Sequence, residues 1–130
     1  MIIAAIIIAA LLLFVFIVAG RPANRARKAF SQADALLRQA ESAMIRAEYG
    51  LAAMRYREAL RPARESGCAL FQAEAYYGLA RVFEKQGQLS AARVSLEKAL
   101  ANRQEWEGEK PNFAALISNM LKDVNRRLPR

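Results

Sequence analysis

Small side chains recur along this chain at an offset of 40 residues, and this spacing limits the folds open to it. When the sequence is compared with itself at that offset, four pairs of positions align: Ala40 with Ala80, Ala52 with Ala92, Tyr56 with Leu96, and Ala59 with Ala99. Alanines let two helices approach closely, and larger residues fill the space between helix pairs. The spacing therefore predicts an all-α fold in which pairs of antiparallel helices repeat.

The second copy of this unit contains the more informative motif. Between Ala73 and Trp106 two helical patterns meet at Gly87, and their motif residues are Tyr76, Leu79, Ala80, Phe83, Ala92, Leu96 and Ala99. The segment resembles a tetratricopeptide repeat (TPR), a helical hairpin of about 34 residues. Two positions depart from the family pattern, since Leu96 replaces the usual Phe and Gln104 a common Pro. The resemblance implies a protein-binding scaffold with no chemistry of its own.

The same resemblance divides the chain after residue 30. Residues 31–67 are interpreted as a first, degenerate TPR and residues 68–106 as the second, with Gly67–Gln72 added between them. The helical pattern from Phe113 to Leu128 does not reproduce the alanines, so residues 111–129 are interpreted as the capping helix that such arrays need. Because three repeats are the usual minimum, we expect the chain to work within an assembly.

In TPR domains the first helices of successive repeats line a groove that holds a peptide or a partner helix. Carried over to this chain, the groove-facing positions are Leu37, Glu41, Met44 and Ile45 in the first repeat and Glu74, Tyr77, Arg81 and Lys85 in the second. Tyr77, Arg81 and Lys85 share one helix face, and an aromatic ring beside two cations suits an acidic or C-terminal segment. The alternative is a solvated face on which Glu84 balances the two cations.

One known TPR specificity is absent. The clamp that holds chaperone C-terminal carboxylates needs Lys and Asn residues on these helices, but the matching positions here are Leu37, Glu41 and Gly78. The resemblance therefore leaves the identity of the partner open.

The first twenty residues contain no charged side chain. Met1–Ala19 consists only of Met, Ile, Ala, Leu, Phe and Val, and as a helix it would span roughly 28 Å, close to the apolar thickness of a bilayer. We therefore expect residues 1–20 to form a transmembrane anchor that ends or kinks at Pro22. A secretory signal peptide is the main alternative, but no basic residue precedes the run and Val18-Ala19-Gly20 is a poor cleavage site.

A basic segment follows the apolar run. Residues 21–30 contain Arg21, Arg25, Arg27 and Lys28 and no acid, which predicts a juxtamembrane linker on the cytoplasmic side. These charges favour a single-pass protein of the bacterial inner membrane with its C-terminal domain in the cytoplasm. An inverted or cleaved anchor would place the domain in the periplasm instead.

Composition argues against catalysis. The chain has no His and one Cys, and it contains neither a glycine-rich phosphate loop nor a metal-ligand cluster, so no enzyme activity, cofactor or small-molecule substrate is expected. The net charge of +8 would attract nucleic acid, but the cations are dispersed and no binding motif is present. A protein partner is the expectation.

Two functions fit these features. The first is a membrane-anchored TPR adaptor or scaffold whose groove recruits a partner protein. The alternative is an accessory structural subunit of a larger integral membrane complex, docked through its apolar helix and braced by the repeats. An adaptor should tolerate replacement of residues 1–19 by an unrelated span, whereas a subunit should lose assembly.

Overall fold

The computed structural model describes the backbone of residues 2–129 and the side chains of residues 2–17 and 24–129. Every regular element in this part of the chain is a helix, in agreement with the all-α expectation. The six helices are α1 (Ile2–Ile45), α2 (Tyr49–Glu65), α3 (Ala69–Lys85), α4 (Leu89–Leu100), the single-turn α5 (Arg103–Trp106) and α6 (Pro111–Arg127).

The turns between the first four helices are short and evenly spaced. Helices α2, α3 and α4 each begin two residues after a residue with left-handed backbone: Ala47 (φ 58°), Gly67 (φ 71°) and Gly87 (φ 74°). Glycine adopts this conformation without a steric penalty, whereas alanine does so at a cost of about 1–2 kcal/mol. The first turn was expected near Glu48–Gly50. It lies instead at residues 46–48, and Gly50 is inside α2.

The even spacing explains why the repeat offset is 40 residues and not 34. The added segment Gly67–Gln72 does not form a separate loop, since Gly67 and Cys68 belong to the turn and the remaining residues to the first turn of α3. Each helix therefore packs antiparallel against the next, in the order α1, α2, α3 and α4, and α1 also contacts α3.

The alanines that define the repeat lie in the core. Ala40, Ala52, Ala80 and Ala92 are completely buried, as close helix packing requires. Larger side chains, chiefly Leu96, Trp106 and Ile117, fill the space near α4 and α6.

Helix α6 covers the exposed side of α4. It begins at Pro111, a residue suited to the first helical position because the missing amide would have no partner there. Ala114, Ile117 and Val124 are buried against α4, whereas the exposed face is polar apart from Ala115 and Leu116. Arg127 donates to Glu84 of α3 at 3.0 Å, so the end of α6 is also tied to the preceding hairpin.

The prediction of a transmembrane anchor over residues 1–20 is wrong. Within the described residues, none of the helices combines the length and the apolar character needed to cross a bilayer. Met1 and the side chains of residues 18–20 lie outside the described part.

The predictions that depended on the anchor are corrected with it. Localisation as a single-pass bacterial inner-membrane protein with a cytoplasmic domain has no support without a span. The basic segment 21–30 was expected to be a linker after a helix end at Pro22, but its backbone is helical and belongs to α1. The side chains of Arg21 and Pro22 lie outside the described part. Helix formers such as Ala26, Arg27 and Lys28 follow directly and sustain the helix.

Candidate functional site

A groove of about 300 Å³ runs between α1 and α3 and is lined by charged and aromatic side chains. Residues from four helices line it: Asp34, Leu37, Arg38 and Glu41 from α1, Tyr56 from α2, Glu74, Tyr77 and Arg81 from α3, and Phe113 from α6. Its volume is at the lower end of the range for small-molecule clefts, and it fits one or two side chains of a bound segment.

The two main walls of the groove follow the 40-residue register. Positions that differ by 40 lie at equivalent places on α1 and α3, so six of the nine lining residues form three equivalent pairs: Asp34 with Glu74, Leu37 with Tyr77, and Glu41 with Arg81. Within each helix the spacing is three or four residues, which places the side chains on one face. The groove is therefore a direct product of the repeat.

Tyr56 extends from α2 into the groove, and the absence of a side chain at Gly78 of α3 leaves the space for its ring. A Cβ atom added at Gly78 would overlap the ring of Tyr56. The ring is 3% exposed and packs among the alanines of the first two hairpins, so it has little room to move. Gly78 thus allows the ring to lie flat against α3 and its hydroxyl to emerge beside Glu41.

Glu41 is the centre of a hydrogen-bond network at the floor of the groove. The Tyr56 hydroxyl donates to Oε2 of Glu41 at 2.8 Å, and Nη1 of Arg81 donates to both carboxylate oxygens at 3.2 Å. The Arg81 guanidinium also lies 5.8 Å from the centre of the Tyr77 ring, within the range of a cation–π contact. These contacts fix the orientation of Glu41 and Arg81 before any ligand binds.

The pKa values of Tyr56, Tyr77 and Arg81 are all raised in this groove. Burial, and after it the hydrogen bond to Glu41, raises the pKa of Tyr56 far above its ordinary value of 10.0. Burial also raises the pKa of Tyr77. For Arg81, burial acts to lower the pKa, but the hydrogen bond and the charge of Glu41 outweigh it and the pKa is raised. Both tyrosines therefore stay protonated and Arg81 stays charged at neutral pH.

Aromatic rings close one end of the groove. Tyr77 and Phe113 meet edge to face with centroids 5.3 Å apart, and Trp106 lies 5.3 Å beyond Phe113. Trp106 is 1% exposed and its indole N–H has no partner among the described residues. The buried Trp106 ring therefore supports Phe113 on the side away from the groove, and the Phe113 ring gives the groove an apolar surface.

Two further ion pairs lie along the rim. Arg38 contacts Asp34 at 3.0 Å one turn away on α1, and Nζ of Lys110 contacts Oε1 of Glu74 at 3.0 Å. Lys110 comes from the connection before α6, and its ammonium also lies 5.8 Å from the Phe113 ring centre. Of these two cations, Arg38 belongs to the α1 wall and only Lys110 reaches the groove from outside its walls.

Five of the eight residues predicted for the groove line it: Leu37, Glu41, Glu74, Tyr77 and Arg81. The other three do not. Met44 is 8% exposed and packs in the core, because it lies on the face of α1 that meets α2. Ile45 is 80% exposed at the end of α1, and Lys85 is exposed at the end of α3, one turn beyond the groove. Of the two cations predicted to accompany Tyr77 in the groove, only Arg81 lines it among the described residues.

Sequence reasoning missed four lining residues. Asp34 and Arg38 carry a detectable signal, since they precede Glu41 by seven and three residues on the same helical face. Tyr56 was interpreted only as a core residue, and it is one, but its hydroxyl is polar and needs a partner. Phe113 has no local signal, because its position depends on how α6 folds back.

The described residues contain no group of three His, Cys, Asp or Glu side chains that could hold a metal ion. Cys68 is a free, half-buried thiol at the start of α3, away from the groove. Comparisons with protein-family models, with curated proteins and with solved structures gave no match.

Proposed function

We propose that this chain is a non-catalytic helical adaptor of the TPR type whose groove binds a segment of a partner protein. The observation that supports it most strongly is the convergence of Glu41, Tyr77 and Arg81 on one preformed groove. Grooves between equivalent helices of a repeat array are typical sites for extended or helical peptides.

The character of the groove favours a protein segment over a small molecule. It combines an aromatic wall at Tyr77 and Phe113 with polar groups whose hydrogen bonds are already satisfied within the chain. Protein interfaces have this composition, with buried aromatic and arginine residues as anchors. A reaction would need a group held ready to act as base or nucleophile, and Glu41 is instead engaged by Tyr56 and Arg81.

Site-specific photocrosslinking in cells of the source organism tests the proposal. A photoreactive amino acid replaces Arg38, whose side chain is 79% exposed at the rim of the groove. We expect one crosslinked protein, with the modified residues confined to one segment when the product is mapped by mass spectrometry. The crosslink should weaken in a chain that also contains Tyr77→Ala.

Met54 provides the matched control position. It is 47% exposed on α2 and does not line the groove, so the same photoreactive residue there should give no such product. Equal crosslinking from positions 38 and 54, or a crosslink indifferent to Tyr77→Ala, would contradict a groove-bound partner.

A further inference from the structure

The charges of the groove differ from those of the whole chain. The chain has a net charge of +8, yet three of its twelve acidic residues, Asp34, Glu41 and Glu74, line this one groove. Arg38 and Arg81 of the lining, together with Lys110 paired to Glu74, balance these three carboxylates, and one negative charge is in excess once Lys110 moves away. An anionic ligand would gain no net attraction from such a surface.

In the two rim pairs, the carboxylate is the more enclosed partner. Asp34 has a side-chain exposure of 37% against 79% for Arg38, and Glu74 has 27% against 54% for Lys110. Long cationic side chains at such exposure gain little from the pair, because solvent screens it and holding them in place costs side-chain entropy. The carboxylates are fixed parts of the wall, and the cations can move away from them.

The one enclosed cation, Arg81, is already neutralised. Its Nη1 donates to both oxygens of Glu41, and Glu41 is held in turn by the buried Tyr56 hydroxyl. An acidic ligand would have to compete with a carboxylate that is part of the same chain and already oriented. Arg81 therefore supports the groove wall through its contact with the Tyr77 ring, and it offers a ligand little free positive charge.

Lys110 shows what kind of group the remaining site accepts. Its ammonium is bound by the Glu74 carboxylate at 3.0 Å and lies over the face of Phe113 at 5.8 Å, the combination that recognises a cation. Because Lys110 belongs to the connection before α6 and not to a groove wall, a ligand can replace it without disturbing the packing.

We infer that the groove takes a basic amphipathic segment, with lysine or arginine at Glu74 and Phe113 and an apolar anchor against Leu37 and Tyr77. This inference rests on the proposed function and adds the chemistry of the partner. Lys110 occupies the cation position in the free protein and is displaced on binding. The positive charge elsewhere on the chain opposes such a ligand only weakly, because physiological salt screens charges beyond about 8 Å.

Fluorescence anisotropy with three labelled peptides on the full-length chain tests the inference. The peptides share one amphipathic leucine pattern and differ only in the polar residue, which is lysine, glutamine or glutamate. A mild non-ionic detergent covers the exposed apolar side chains of Ile2–Ile17. We expect the leucine–lysine peptide to bind most tightly and the leucine–glutamate peptide least.

Three variants locate the effect. Glu74→Gln should weaken binding of the leucine–lysine peptide by about two- to fivefold, the size of one partly exposed charge pair. Lys110→Gln should strengthen it by about two- to fivefold, because the internal competitor is gone. Glu97→Gln is the matched control, since Glu97 pairs with Arg93 on α4 and its substitution makes the same change of charge away from the groove.

The outcomes separate this inference from the proposed function. Preference for the glutamate peptide, or for no charge at all, in a binding event that Tyr77→Ala abolishes would overturn the basic ligand but leave a peptide-binding groove. Binding indifferent to Tyr77→Ala would contradict both. If Lys110→Gln weakens binding of the lysine peptide, Lys110 is part of the site and not its competitor.

Discussion

Replacing Gly78 by alanine should destabilise the fold, whereas the same change at Gly50 should not. The new Cβ would overlap the ring of Tyr56, which is 3% exposed and enclosed by alanines, so the ring or helix α3 must shift. Overpacking of this kind costs about 1–3 kcal/mol or more, and losing the Tyr56 to Glu41 hydrogen bond adds about 1 kcal/mol. Alanine regains about 1 kcal/mol of helix propensity, which leaves a net loss of about 1–3 kcal/mol.

Gly50 offers a matched control on the same scale. It also lies within a helix, but a Cβ added there meets nothing within 4 Å. Gly50→Ala should therefore stabilise the fold by about 0.5–1 kcal/mol through helix propensity alone. The two variants make the same chemical change, so the difference between them isolates the contact with Tyr56.

Urea unfolding of the full-length chain provides the measurement. Trp106 is the only tryptophan and is 1% exposed, so its fluorescence reports loss of the core directly. The double variant Gly78→Ala/Tyr56→Leu should be more stable than the sum of the single effects, because the smaller side chain leaves room for the methyl group. Equal stability of Gly78→Ala and Gly50→Ala, or strict additivity in the double variant, would refute the close approach.

Three further predictions concern the turns, the buried tyrosine and the apolar end of α1. Ala47→Gly should raise the free energy of unfolding by about 0.5–1 kcal/mol and Gly67→Ala should lower it by about 1 kcal/mol, because both residues have left-handed backbone; urea unfolding measures both. Tyr56 has a raised pKa in the fold, so it contributes stability that is complete below its ordinary pKa of 10.0 and is lost as the pH rises beyond it. Unfolding curves recorded from pH 8 to 12 should show that loss, and Tyr56→Phe should reduce it. Leu12→Ser and Phe14→Ser should leave the unfolding midpoint unchanged, because both side chains are about two-thirds exposed and outside the core; a lower midpoint would reveal packing there.

Much of the helical packing follows from the spacing of small residues. Ala40 and Ala80 had to be buried because an alanine repeated at a fixed offset on an amphipathic helix marks the line of closest approach. The sequence predicted that Glu41 and Arg81 both face the groove, and these residues, which are also 40 positions apart, are in contact. These features could be predicted because they depend only on the periodicity of each helix and on the equivalence of the two repeats.

Other features depend on contacts that no local pattern encodes. Ala47 adopts a left-handed conformation because the 20-residue spacing of the turns requires it, although alanine alone gives no sign of it. Phe113 and Lys110 reach the groove only after α6 folds back over α4. The apolar run of α1 predicted a helix, which is present, but the membrane span inferred from the same residues is wrong.

The 40-residue register links the stability of the fold to the properties of the groove. It aligns alanines on the faces that pack together, and on the adjacent faces it aligns Glu41 with Arg81 and Leu37 with Tyr77. One face needs identical small residues at equivalent positions, since any enlargement would separate the helices. The groove face needs different residues at equivalent positions, because an acid on one helix can pair with a base on the other only where the two repeats differ. The difference between the two repeats on that face therefore gives this chain a polarised groove, in which Asp34 and Glu74 are the equivalent positions that are acidic in both copies.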